Sequence, residues 1–398
     1  MATITWIAGS AGNWSSGINW SGGVAPGASD DVVFNGTGTG NCTLDVNASV
    51  ASFNAQSGYT GAIDFGTSNF TVSGNFILDH GGGMDFGSGT HYMGGFFDVK
   101  DCGTLDYATS SVELAGTGTN MLTWSDTDTN KAFYDVIVSG NLTTNNVPYA
   151  AIRATNAYTI SGTLNHNASG GRQISITAGA LVVSGTLTGS GDCAVITSAS
   201  GVGSLTISGS GSVTIGKLRA SLGGVTGSYV EIGGGDYSNC DVEMSTSNNG
   251  SDAPLRFSGD VTLKSLNFTA SSGANMVVEN STHNPSITLK GDLTCTTSNV
   301  VWSAGTGTIT LDNTAAQAID FNGETVEAVI VSDASTGAIT LGANFTTPYV
   351  HDCNNLIDLN GYTITETGTD PSPCVSSGAV RSLINGFTNP LISGGLVQ

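Results

Sequence analysis

The chain has 398 residues, 57 of them glycine, with only 10% charged residues and a formal net charge of −21 from 31 acids against 10 bases. That balance leaves no basic patch for a phosphate backbone and excludes nucleic-acid binding. No apolar run reaches the ~20 residues of a membrane span, and 39% hydrophobic residues are too many for a disordered chain.

The N-terminus, "MATITWIAGSAG", has neither a basic start nor a long apolar stretch, so no Sec signal peptide is expected. The stretch "GNWSSGINWSGGVAPGASDDVVFNG" (12–36) follows. Trp6, Trp14 and Trp20, three of the five tryptophans, stand here beside Pro26, ahead of the regular strand pattern. Two readings compete. In the favoured one these residues plug the open end of a stack, since each indole covers roughly 150–250 Å² and an uncovered sheet edge invites aggregation. In the other, the tryptophans and the acids form a sugar platform. Asp30 and Asp31 precede "VVF" and are expected to hold the turn with their side chains.

From residue 69 onward, short runs alternate with period two. They include "NFTVSGNFIL" (69–78), "YDVIVSGNLTT" (134–144), "AYTISGTLNHN" (157–167), "ALVVSGTLTGS" (180–190) and "SLTISGSGSVTIG" (204–216). Period two predicts strands, and each Ser-Gly predicts a corner. The corners begin at Ser73, Ser139, Ser161, Ser184, Ser208 and Ser258, and Lys290-Gly291 continues the series. The successive gaps are 66, 22, 23, 24, 50 and 32. A unit of 22–24 is one turn of a parallel β-helix, and 66 is three units; 50 and 32 do not divide cleanly. A longer echo links 110–145 with 307–342, again as expected of a solenoid. The sequence therefore predicts an all-β chain: a single right-handed parallel β-helix over 41–370, an aromatic cap over 1–40 and an irregular tail over 371–398.

The tail carries a short predicted helix at 379–385. Its apolar residues Leu383, Ile384, Phe387, Leu391 and Ile392 suit oligomerisation, a trimer being favoured, or attachment to a shell. A plain C-terminal cap is the competing reading.

Motifs that carry chemistry are scarce. His80, His91, His166, His283 and His351 are isolated, without HExxH, and are expected at the surface or at corners, so no metal site is assigned. "GGGMDFGSG" (81–89) and "GGGDYSNCD" (233–241) read as glycine-rich turns rather than tandem Ca²⁺ repeats. There is no GxSxG and no phosphate-binding loop, and no cofactor is assigned. "YDVIV", "IDFG" and "VEMS" carry single acids, so the paired carboxylates of a glycosidase are not expected. Lys217 and Arg219 are the close pair of bases. Seven scattered cysteines without CxxC read as thiols rather than disulfides.

"TWIAGSAGNWSSGINWSGGVAPGASDDVVFNG" and the following "TLDVNASVASFNAQSGYTGAIDFGTSNFTVSGNFIL" resemble the opening of autotransporter-like β-strand-repeat proteins. These are bacterial surface and phage virion proteins of the right-handed β-solenoid type. The resemblance runs from Thr5 to Leu78, implies a structural role, and carries over no catalytic residue. It departs from the secreted members in showing no signal peptide, barrel or sorting tail. The expectation is a non-enzymatic structural protein on the exterior of a bacteriophage virion, a capsid decoration or tail fibre component made in the host cytoplasm. Expected partners are other copies of itself, other virion proteins and host surface polysaccharide. The alternatives are a carbohydrate-binding or carbohydrate-degrading tailspike and a bacterial cell-surface adhesin.

Overall fold

The computed structural model describes residues 1–99, 101–119, 122–123, 133–143, 153–166, 173–176, 179–197, 205–222, 229–246, 252–271, 275–352, 356–369 and 371. The chain is all-β. It divides into two compact units, Met1–Ile196 with Gly209–Gly216, and Thr197–Ser208 with Lys217–Gln398. Each is a β-solenoid of short strands that pair in parallel with the same strand of the next coil. The helical element among the described residues is one 3₁₀ turn, Gly17–Asn19. The expected helix at 379–385 and the tail residues Leu383, Ile384, Phe387, Leu391 and Ile392 lie outside the described residues.

In the first unit one sheet stacks Thr3–Thr5, Asp31–Phe34, Ser52–Ala55, Phe76–Leu78 and Phe97–Asp98. A second stacks Gly12–Asn13, Cys42–Thr43, Ile63–Asp64, Gly83–Asp85 and Thr104–Asp106. A third begins with Ala48–Val50, Phe70–Val72, Thr90–Met93 and Ser111–Leu114. Period two sets the faces. In Asp31–Phe34 and Ser52–Ala55 every second residue is buried. Parallel sheets usually bury both faces; here the outer face is mostly polar Ser, Thr, Asn and Asp, with Val33 and Ile77 among the exceptions, so water covers it.

Parallel in-register stacking puts like on like. Phe53, Phe76 and Phe97 occupy one ladder position. Their rings stack with centroids 4.9 and 5.5 Å apart, each contact contributing about 0.5–1.5 kcal/mol beyond the area it buries. Phe70, His91 and Val112 share another inward ladder. The second unit builds its core from aliphatic ladders such as Ile287, Ile309 and Val329. An edge-packed run of Trp302, Phe321 and Phe345 joins them.

The register explains the corner spacing. Between Ser73 and Ser139 the same corner recurs at Gly94 and Ala115, because Gly94 N–H bonds to Val72 O, Ala115 N–H to Met93 O and Ser139 N–H to Leu114 O. The gap of 66 is thus three coils. The gap of 50 is two coils: Leu205, Val230 and Leu255 are partners in succession, and Gly233-Gly234 replaces Ser-Gly in the middle. The gap of 32 is no coil multiple, because Lys290 belongs to another corner, its N–H bonding to Leu263 O.

Glycine is required at this corner by proximity. A Cβ on Gly162 would lie 2.1 Å from Gly140 O, and one on Gly185 2.0 Å from Gly162 O. Each coil's corner rests directly on the carbonyl of the coil before it.

Candidate functional site

The tryptophan segment is itself a first coil with an insertion. Thr3 partners Asp31 and Gly12 partners Cys42, whereas Cys42 in turn partners the nearer Ile63. The first coil is therefore longer than the second. The added chain folds back across the free edge of Thr3–Thr5. Trp20 meets Trp6 in an isolated antiparallel bridge, Ile7 N–H bonds to Asn19 O, and Ser21 N–H bonds to Thr5 O. Reversing direction stops the parallel ladder. Trp6, Trp14 and Trp20 are at most 1% exposed, and Pro26 is also buried. Trp20 packs edge to face on Trp6, Trp14 and Phe34, and Trp6 stacks on Phe34. Trp6 Nε1–H donates to Gly40 O at 2.9 Å and Trp20 Nε1–H to Trp14 O at 2.7 Å. A sugar platform needs an open ring face, and none of the three offers one.

His80, His91 and His166 correct the sequence expectation: they are buried, at 0–1% exposure, rather than at the surface. His91 fills an inward ladder position among Phe65 and Phe86, with Nε2 2.8 Å from Phe86 O. Burial pushes its pKa down to about 4, against a smaller upward pull from that bond. The ring is neutral in the folded state, while the unfolded chain protonates near 6.5. Stability is therefore lost as pH falls from 6.5 toward 4 and no further below that, by about 3 kcal/mol in total. The urea midpoint of wild type should drop between pH 7 and pH 4.5 more steeply than that of H91Q; parallel profiles would remove His91 as the cause.

Asp64, Asp85 and Asp106 stack at one outward position on three successive coils. Each accepts the N–H two residues on: Gly66 at 2.7 Å, Gly87 at 2.7 Å and Ala108 at 3.1 Å. The bonded residues have φ of 52°, 60° and 34°, left-handed values that the side-chain bond holds in place. Asp320 with Asn322 and Asp358 with Asn360 repeat the device in the second unit. Burial raises the Asp85 pKa, with Gly87 N–H opposing and the stacked Asp106 and Asp64 adding to the rise. "GGGMDFGSG" thus holds the strand Gly83–Asp85 and then a turn capped by Asp85, and "GGGDYSNCD" runs into the strand Gly235–Thr246 rather than being a turn throughout. Among the described residues no group of three or more His, Cys, Asp or Glu is placed to hold a metal ion. Cys42, Cys102 and Cys240 are buried thiols and Cys295 a half-buried one; burial raises the Cys42 and Cys295 pKa values, the latter to about 12.

The chemically richest faces are in the second unit. Residues 217–290 hold five of the ten bases and seven of the 31 acids, so this stretch is nearly balanced on a strongly acidic chain. Lys217 pairs in register with Asp241, and Arg219 with Glu243. The acids do occur at period two, in "CDVEMS", which corrects the expectation of single acids. Lys217 Nζ lies 2.6 Å and Arg219 Nε 3.7 Å from Glu243. Lys264 Nζ is 3.0 Å from Asp241, which also accepts from Ser265 Oγ at 2.7 Å. Asn267 continues the chain, donating to Ser265 Oγ and accepting from Thr294 Oγ1. On another face Arg256 binds Glu279 at 2.9 Å and covers the Tyr229 ring at 4.1 Å, and His283 lies 3.6 Å from Glu231. Burial opposes ionisation of Glu279, but hydrogen bonds from Arg256 and Thr282 and the charges of Arg256 and His283 outweigh it and hold its carboxyl below the usual range. Lys290 pairs with Asp312. Each of these five bases is spent on a carboxylate of a neighbouring coil.

Fold and faces together define an all-β parallel β-solenoid whose charged side chains tie coil to coil. No family model, curated protein or solved structure matches the chain. Among the described residues no helix is long and apolar enough to cross a membrane.

Proposed function

We propose that the chain is a non-enzymatic structural protein of a bacteriophage virion exterior, a capsid decoration or tail fibre component. The observation that supports this reading most is how the charged groups are used. Lys217, Arg219, Arg256, Lys264 and Lys290 all engage carboxylates one coil away. Cross-coil pairs of this kind favour one stacking register over slipped alternatives. The resemblance of the N-terminal stretch supplies the setting, and the acidic surface suits an exposed, soluble component.

A second reading is favoured by one observation: Asp241 and Glu243 share an outward face two residues apart on one strand. Successive same-face positions on a strand are roughly 6.6 Å apart, within the ~5–10 Å that two carboxylates need to attack a glycosidic bond. Two measurements separate the readings. The chain should appear in the peptide spectra of purified particles, and antibodies to it should label their outside. Incubation with host polysaccharide should release no new reducing ends. Absence from particles overturns the virion reading, and labelling of intact cells instead favours the adhesin. Reducing ends lost in D241N and E243Q would establish the tailspike.

A further inference from the structure

Residues 1–29 contain no charged side chain; Asp30 is the first. Among the described residues six large hydrophobic side chains stand exposed, and Met1, Ile7, Ile18 and Val24 are four of them. Ile18 is 84% and Val24 60% exposed. They contribute nothing to the aromatic seal, which is complete beneath them, with all three indoles buried. They also lie together. A Cβ on Gly17, the residue before Ile18, would sit 3.0 Å from Val24 Cα, and the N–H of Ile7 bonds to Asn19, the residue after it.

The same end offers little backbone for an added strand. Trp20 N–H bonds to Gly17 O at 3.0 Å, and Gly23 N–H bonds to Trp20 O at 2.9 Å, so both outward groups of Trp20 are used within the cap. What this end presents is aliphatic side chains on a segment that itself carries no charged side chain.

We propose that this end docks against the same end of a second copy, through Ile7, Ile18 and Val24. Two copies with a net charge of −21 repel wherever their acidic faces approach. The N-terminal end, whose first 29 residues carry no charged side chain, is where they meet with the least of that cost, and a two-fold contact buries the same patch on both and closes the assembly. The contact is confined to a solenoid end, which places it below about 1,200 Å² and among weak, reversible interfaces. Asp30, Asp31 and Asp45 lie closest to it in sequence and structure, with Ala2 N–H bonded to Asp30 and Ser15 to Asp45. Their mutual repulsion makes association stronger in salt.

The test is sedimentation velocity of the full chain over a concentration series at about 50 and 500 mM salt. Wild type should show a monomer–dimer equilibrium that tightens with salt. The double variant I18D/V24D should weaken it at least about tenfold, a loss of roughly 1.4 kcal/mol or more. I18S/V24S should weaken it too, without added charge. Both variants should keep the wild-type near-ultraviolet tryptophan signal and melting temperature, since the two side chains are exposed. A wild type that stays monomeric throughout, leaving the patch to a different partner, overturns the proposal. So does a dimer or trimer that the variants leave intact, which would place self-association elsewhere.

Discussion

Replacing Trp20 with alanine should cost about 3–5 kcal/mol of stability, the range for removing a fully buried indole. Its ring lies 4.9 Å from Trp6, 4.7 Å from Trp14 and 5.6 Å from Phe34. All three contacts go at once, and Trp14 O loses its donor inside the seal. The consequence goes beyond a cavity. Trp20 anchors the antiparallel segment across Thr3–Thr5, so loosening it exposes the outer edge of a parallel sheet. W20A should therefore show a lowered urea midpoint and faster aggregation on heating. W20F, which restores the ring but not the Nε1–H donor, should recover most of the stability. A W20A loss below about 1 kcal/mol, the ordinary cost of a point substitution, would mean that the indole cluster is not what closes this end.

The second large effect is expected at Gly162. An alanine Cβ there would sit 2.1 Å from Gly140 O and 2.5 Å from Ser139 O. Both are backbone atoms of the coil before. That coil is held by Thr163 N–H to Gly140 O at 2.8 Å and Ser161 N–H to Val138 O at 2.9 Å, so it cannot move aside without losing ladder bonds. Overpacking of this kind costs about 1–3 kcal/mol or more, and here it acts on the stacking distance itself. Gly81, where an added Cβ meets nothing within 4 Å, is the control. G81A should fall within about 0.5 kcal/mol of wild type. Equal midpoints for G162A and G81A would show that the coils are not stacked at this corner.

The strands were legible because burial on one face leaves a period-two trace, as in "NFTVSGNFIL", where Phe70, Val72, Phe76 and Leu78 all turn inward. The corner was legible for the same kind of reason: a close approach admits only glycine, and glycine is visible in a sequence. The aspartate turns were equally legible and were missed. Asp64, Asp85 and Asp106 recur at equal intervals, each followed by an aromatic residue.

The buried histidines were not legible. His91 sits in a glycine-rich stretch that reads as surface, and its inward direction depends on the ladder it shares with Phe70 and Val112. The partnership of Lys217 and Arg219 with Glu243 was hidden for the same reason. Lys217 is in register with Asp241 one coil on, yet its ammonium pairs with Glu243, and coil length varies: Ile339 is in register with Ile357 across a shorter coil and Gly12 with Cys42 across a longer one. Without the register, no base can be assigned its acid.

Local chemistry in the chain itself settled the all-β class, the inward and outward faces and the corners, because alternation and the need for glycine act within a few residues. Which side chains share a ladder, and so which charges meet and which histidines lose water, was decided by tertiary stacking. Coil length varies from turn to turn, and a side chain's neighbours in a solenoid lie one whole coil away.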